Sequence, residues 1–250
     1  MIPKRLYTKV RNKFFQRLYS PIRVFVFHHV SDVRNPLVCA EQDWTESHMF
    51  FANLLALQKE YVFISLENAI RLLNGNCPRK KKYAVLTTDD GLQTLLSVWP
   101  WLERHNIPLT CFVNAKYLDG VSFKALDETR IRKEGYQGNI LPVIAQQYLT
   151  KEQLFQLNSP LLTISLHGYE HLDATQETPS EFVDNVRACQ EILSQHPCYR
   201  PYFAYPWGKH NAGTDRILRD MGLIPVLVDG MMNYHGSKHI HRECLDGIVF

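Results

Sequence analysis

The chain has 250 residues, 45% of them hydrophobic and 21% charged, and a net charge of +3 with the histidines neutral. That composition supports a full globular core, and so small a charge gives no argument for nucleic acid as a partner. Six scattered cysteines without a C-x-x-C spacing exclude a zinc knuckle and a dithiol redox motif, and fit a reduced, cytosolic protein, although an even count leaves disulfides open.

The opening segment, MIPKRLYTKVRNKFFQRLYSPIR, carries seven Lys/Arg and no acid. Leu6, Val10, Phe14, Phe15 and Leu18 recur at helical spacing, which predicts a basic amphipathic helix over residues 1–22. Two roles fit such a helix. It is either a solvated helix packed on the domain or an interfacial one that holds residues 1–20 against an anionic membrane. No apolar run is long enough to span a bilayer or to form a signal-peptide core, so the expectation is a cytoplasmic protein, peripheral at the inner membrane under the second role.

Residues 23–250 read as one domain. IRVFVFHHV is a strand, followed by a polar loop, the helix HMFFANLLALQKEY, the strand VFISL and the helix ENAIRLLNG closing at Gly75. KKYAVLTT is the next strand, followed by a helix from about Leu92 and the strand PLTCFVN. After a long polar stretch over 119–149, a capping-type Thr150 opens a helix, LLTISLH is a strand, and Thr178 or Ser180 caps another helix. YFAYP, the helix AGTDRILRDMG and a final strand LIPVLVD complete the pattern. The alternation predicts a parallel sheet, barrel-like or doubly wound. Neither G-x-G-x-x-G nor G-x-x-x-x-G-K occurs, so no nucleotide cofactor is expected.

In parallel α/β folds, catalytic groups gather at the carboxyl ends of strands. Four stretches end strands with unusual polar residues: FHH at 27–29, TDDG at 88–91, LHGYEH at 166–171 and YPWGKHN at 205–211. Asp89 and Asp90 repel one another unless a cation relieves them. His167 and His171 have a chelating spacing, and one added carboxylate gives a His/His/Asp set with open positions, as in hydrolytic metal sites. One aspartate then holds the cation, while the other serves as a base.

These motifs resemble those of the polysaccharide deacetylases of the NodB-homology type, carbohydrate esterase family four. V-L-T-T-D-D-G resembles the family's T-F-D-D-G, L-H-G-Y-E-H its H-[ST]-x-x-H, and F-A-Y-P-W-G its F-A-Y-P-Y-G. F-H-H-V is similar to the Y-H-x-V run of the subgroup that includes poly-N-acetylglucosamine deacetylases. The resemblance implies a distorted, mostly parallel (β/α) barrel of seven strands. It assigns Asp90, His167 and His171 as metal ligands, zinc first, with cobalt, nickel or iron as alternatives. Asp89 becomes the general base and His28 the general acid. Pro206 and Trp207 match the motif whose backbone N–H helps hold the oxyanion. Arg242 is expected either to hold Asp89 ionised or to form a structural salt bridge, with Arg200 a weaker candidate.

The implied substrate is an N-acetylated amino sugar in a glycan or a lipid-linked precursor. Alternatives are cleavage of O-acetyl esters or non-sugar amides on the same fold, and a silent glycan-binding protein. Thr88, Gly168 and Trp207 depart from the family pattern; Gly168 removes a hydroxyl that would orient the histidine loop. Trp207 is either a stacking surface for a sugar or a buried aromatic. His48, His105 and His196 are expected at the surface, and His239 and His241 rank below His28 as acids.

Overall fold

The structure is a computed structural model that describes residues 22–32, 44–75, 81–119, 148–234 and 236–246. The expected N-terminal helix and the polar stretch 120–147 lie outside the described residues, as do Cys39 and Cys77. In chain order the first half comprises β1 (Ile22–Phe27), β2 (His29–Val30), β3 (Trp44–Thr45), α1 (Ser47–Gln58), β4 (Val62–Phe63), α2 (Leu66–Asn74), β5 (Tyr83–Thr88), α3 (Leu95–Arg104) and β6 (Leu109–Val113). The second half comprises α4 (Lys151–Gln156), β7 (Leu162–Leu166), α5 (Pro179–Leu193), β8 (Tyr199–Ala204), α6 (Ala212–Asp220), β9 (Ile224–Val228) and β10 (Ile240–Cys244).

Seven parallel strands close on themselves in the order β1, β10, β9, β8, β7, β6, β5. Closure comes from β1 lying beside β5 in register from Ile22↔Tyr83 to Phe27↔Thr88. The sheet is therefore a barrel and not an open doubly wound one. Most of its strands, β1, β5 and β6 above all, read as nearly continuous apolar runs because both faces are covered. Alternate residues divide between two clusters. Val24, Val85, Phe112, Ala204, Val226 and Ile240 form the inner one, which α2 joins through Leu66, Ala69 and Leu73. Phe25, Phe27, Leu86, Cys111, Ile164 and Phe203 face the helical layer outside.

Helix ends follow local chemistry. Thr178 and Thr150 both form complete capping boxes, with Glu181 and Gln153 respectively, and Pro179 occupies the first turn of α5. Four expectations are corrected. VFISL yields only the two-residue β4, because Ser65 turns to cap α2, its hydroxyl accepting from Asn68 N at 3.2 Å. The helix after Asp90 begins at Leu95 and not at Leu92, since Leu92 pairs with Tyr148 across an isolated bridge. LIPVLVD is not the last strand: β10 follows it and completes the barrel from the polar sequence IHREC. His196, expected at the surface, is buried, with Nε2 bound to Leu154 O at 3.0 Å and Nδ1 accepting from Cys198 N.

Candidate active site

The residues after five strands meet on the carboxyl rim of the barrel: His28 after β1, Asp89 and Asp90 after β5, His167 after β7, Pro206 and Trp207 after β8, and Asp246 after β10. The turn at the end of β5 separates the two aspartates. Asp89 N donates to Phe27 O, so Asp89 still follows the strand, whereas Asp90 and Gly91 take left-handed φ angles of 71° and 75°. Aspartate tolerates that conformation better than most residues. At Gly91 a Cβ would approach Val113 Cγ1 to 3.0 Å, so both the backbone and the space require glycine.

Asp89 meets Arg242 in a two-pronged pair, Nη1 to Oδ1 at 2.6 Å and Nη2 to Oδ2 at 2.8 Å. Only 3% of Asp89 and 1% of Arg242 are exposed. The guanidinium also donates to Thr87 Oγ1 and lies 5.0 Å from the Phe112 ring, so it caps the inner core beneath the rim. Burial would raise the Asp89 carboxyl, but the Arg242 charge, followed by His167, the hydrogen bonds from Arg242 and the charge of His28, holds it below the ordinary value. Arg200 has no part in this: it is exposed and pairs with Glu67.

Asp90 points to the histidines. Its Oδ1 lies 3.4 Å from Nε2 of both His167 and His171, and the three donor atoms lie within 4.8 Å of one another. A tetrahedral ion with bonds of about 2.1 Å has ligand separations of about 3.4 Å. His167 turns Nδ1 to Ala204 O at 2.9 Å, which assigns the ring proton there and leaves Nε2 as a lone-pair donor. Burial would raise the Asp90 carboxyl too, yet the close contact with His167, followed by the nearby His171 and His28 imidazoles, holds it well below the usual carboxylate range. The donor set and its preparation fit a divalent cation.

The segment from His167 to His171 is a loop and not a helix, with Gly168 at φ 78° and His171 at φ 57°. Two amides hold it. Asn114 Nδ2 donates to His167 O at 2.5 Å, and Asn185 Oδ1 accepts from Tyr169 N at 2.7 Å. A Cβ at residue 168 would lie 3.3 Å from that same Asn185 oxygen, so Asn185 takes the place where a Ser or Thr side chain would reach. The loop is thus oriented despite the missing hydroxyl. Behind it, on the α5 side, lies an open cleft of about 690 Å³ bordered by Tyr169, Glu170, Asp173 and Glu177; none of the three donors lines it.

His28 stands between β1 and β2 with Nδ1 bound to Asp246 Oδ2 at 2.8 Å. Burial would lower its pKa, but the hydrogen bond and charge of Asp246, aided by Asp89 and Asp90, push it up to about 10. Asp246 is itself fixed by Thr45 Oγ1 and by the backbone N–H of His28. His239 and His241 are occupied elsewhere, by Asp215 and Asp229. Trp207 is 49% exposed at φ 59°, its ring 4.7 Å from that of His171, so it is not a buried aromatic.

Sequence reasoning missed Asp246, Asn114 and Asn185. For Asp246 the only signal was an acidic residue just past a strand that was itself unrecognised. The two asparagines offered no signal, because they work by binding backbone groups of distant loops.

Together, the closed parallel strands and the surrounding helices define a NodB-like (β/α) barrel. Residues 76–226, more than half of the chain, match the polysaccharide deacetylase family, and the chain belongs to that family. Solved structures share its fold. The deacetylase PplD of Streptococcus pyogenes, in complex with acetate, gives a TM-score of 0.69 at 19% identity, covering 90% of this chain and 92% of that one. IcaB from Ammonifex degensii gives 0.69 at 21%, covering 92% and 93%. A de-N-acetylase from Aggregatibacter actinomycetemcomitans gives 0.67 at 17%, covering 92% and 97%. No curated protein matches the sequence.

Proposed function

We propose that this chain is a metal-dependent hydrolase that removes an N-acetyl group from an amino sugar in a glycan or lipid-linked glycan precursor. The observation that carries this reading is the convergence of Asp90, His167 and His171 beside an aspartate clamped by Arg242. Asp90, His167 and His171 would hold the cation, zinc by preference for this donor set. When bound, such an ion supplies Lewis acidity, polarising an acetamide carbonyl and acidifying a water.

The chain's own groups do the rest. Asp89, kept ionised by Arg242, accepts the proton of the attacking water. The backbone N–H of Trp207, turned by its left-handed φ, is assigned to the oxyanion. An amine departs badly as an anion, so His28 gives it a proton, and Asp246 keeps that imidazole protonated at neutral pH. The exposed indole of Trp207 offers a flat face for a pyranose beside His171. We further assign the substrate to the cytoplasmic side of a membrane, in keeping with the basic segment at residues 1–20. No helix among the described residues is long and apolar enough to cross a membrane.

Purified protein supplied with zinc or cobalt is expected to release acetate from N-acetylhexosamine glycans or lipid-linked sugars, and Asp90→Ala to abolish release. Absence of acetate from every acetylated sugar would sink the reading. Release from acetyl esters alone would transfer the enzyme to ester hydrolysis.

A further inference from the structure

A second group of metal-type donors gathers among the described residues, apart from Asp90 and its histidines. His28, Cys244 and Asp246 bring a ring nitrogen, a sulfur and a carboxylate oxygen within 4.8 Å of one another. Asp246 Oδ2 is the hub, 2.8 Å from His28 Nδ1 and 3.5 Å from Cys244 Sγ. The other carboxylate oxygen is bound by the Thr45 hydroxyl at 3.2 Å, which fixes the hub in place. The group has a way in, because the His28 side chain is 21% exposed while that of Asp246 is fully buried.

Cys244 distinguishes this set from the first. Thiolate sulfur selects soft and borderline cations, zinc and cadmium, and discriminates against magnesium and calcium. Two of the three ligands must first release a proton to solvent: the proton shared by His28 and Asp246, and the thiol proton of Cys244. That competition weakens binding, so the site fills after Asp90, His167 and His171 have taken their ion. We propose that His28, Cys244 and Asp246 form a second, inhibitory site for a thiophilic divalent cation. Its occupation ties up the imidazole that must carry a proton to the leaving amine. The inhibitory part rests on the role given to His28 above; the binding part does not.

The test is a titration of the metal-stripped full chain with cadmium, followed by the ultraviolet charge-transfer absorption of cadmium thiolate. The first equivalent should bind without this band and the second should produce it. Cys244→Ala, Cys244→Ser and His28→Ala should lose the band. Asp90→Ala should lose the silent equivalent and keep the band, with its fold checked by far-ultraviolet circular dichroism. A band of unchanged size in both Cys244 variants, or none in the parent protein at excess cadmium, would overturn the site.

Inhibition is read separately. Acetate release by the parent should fall as zinc exceeds one equivalent. Cys244→Ala should match the parent at one equivalent and need about tenfold more zinc, or more, for the same inhibition. Equal zinc sensitivity in the two proteins would overturn the inhibitory role. If no acetylated sugar is cleaved at all, the functional reading fails, while the cadmium band still decides whether the site exists.

Discussion

His28 and Asp89 are held in opposite charge states by opposite partners, a carboxylate for the imidazole and a guanidinium for the carboxylate. The His28 pKa is raised from 6.5 to about 10, so its stabilising effect is complete below pH 6.5 and is lost as pH climbs toward 10. Asp246→Asn removes the largest raising influence. The alkaline limb of kcat/KM should then move to lower pH by about one unit or more, and stability should fall less between neutral and alkaline pH. An alkaline limb that stays in place would remove His28 from the role of acid. Asp89 carries the reverse sign: its pKa is depressed, so its contribution is present above the ordinary carboxylate value and lost as pH falls. Arg242→Met leaves that carboxylate buried without its cation. Urea unfolding should register a loss of about 3–5 kcal/mol at neutral pH, and the acidic limb of kcat/KM should shift upward.

At the scale of elements, the readable and the unreadable parts of the site separate cleanly. TDDG, LHGYEH and YPWG could be read because each ends an apolar strand with residues that have no business in a core unless they do chemistry. The strand β10 was hidden because Arg242 and Asp246 look like surface residues until their buried partners are known. His196 is hidden for the same reason: one ring nitrogen satisfies the Leu154 carbonyl in α4 and the other the N–H of Cys198 two residues on, an arrangement without sequence periodicity. The helix α5 offers a test of how such hidden supports act, since its cap and its interior serve different ends. Thr178→Ala should lower stability by about 1 kcal/mol and leave metal affinity unchanged. Asn185→Ala strips the acceptor from Tyr169 N–H beside His171 and should weaken metal binding about 10–100-fold in competition with a chelator. Equal metal affinity in both variants would mean that the loop keeps its shape without Asn185.

For the molecule as a whole, an ion that binds the folded rim and not the unfolded chain should add stability by mass action. Zinc at one hundred times its Kd should contribute about 2.7 kcal/mol and raise the Tm. Asp90→Ala should erase the part of that rise which occurs at the lowest zinc concentrations. A chelator should reverse the rise in the parent protein. The topology of closure has a consequence in time as well as in space. The contact from His28 to Asp246 spans 218 positions, and the one from Asp89 to Arg242 spans 153. Both His28 and Asp89 therefore acquire these partners only when β10 is laid between β1 and β9. A nascent chain still lacking that strand can already own the loops after β5 and β7 and yet leave His28 and Asp89 without these partners, so under the proposed function synthesis itself would delay hydrolysis until the barrel has closed.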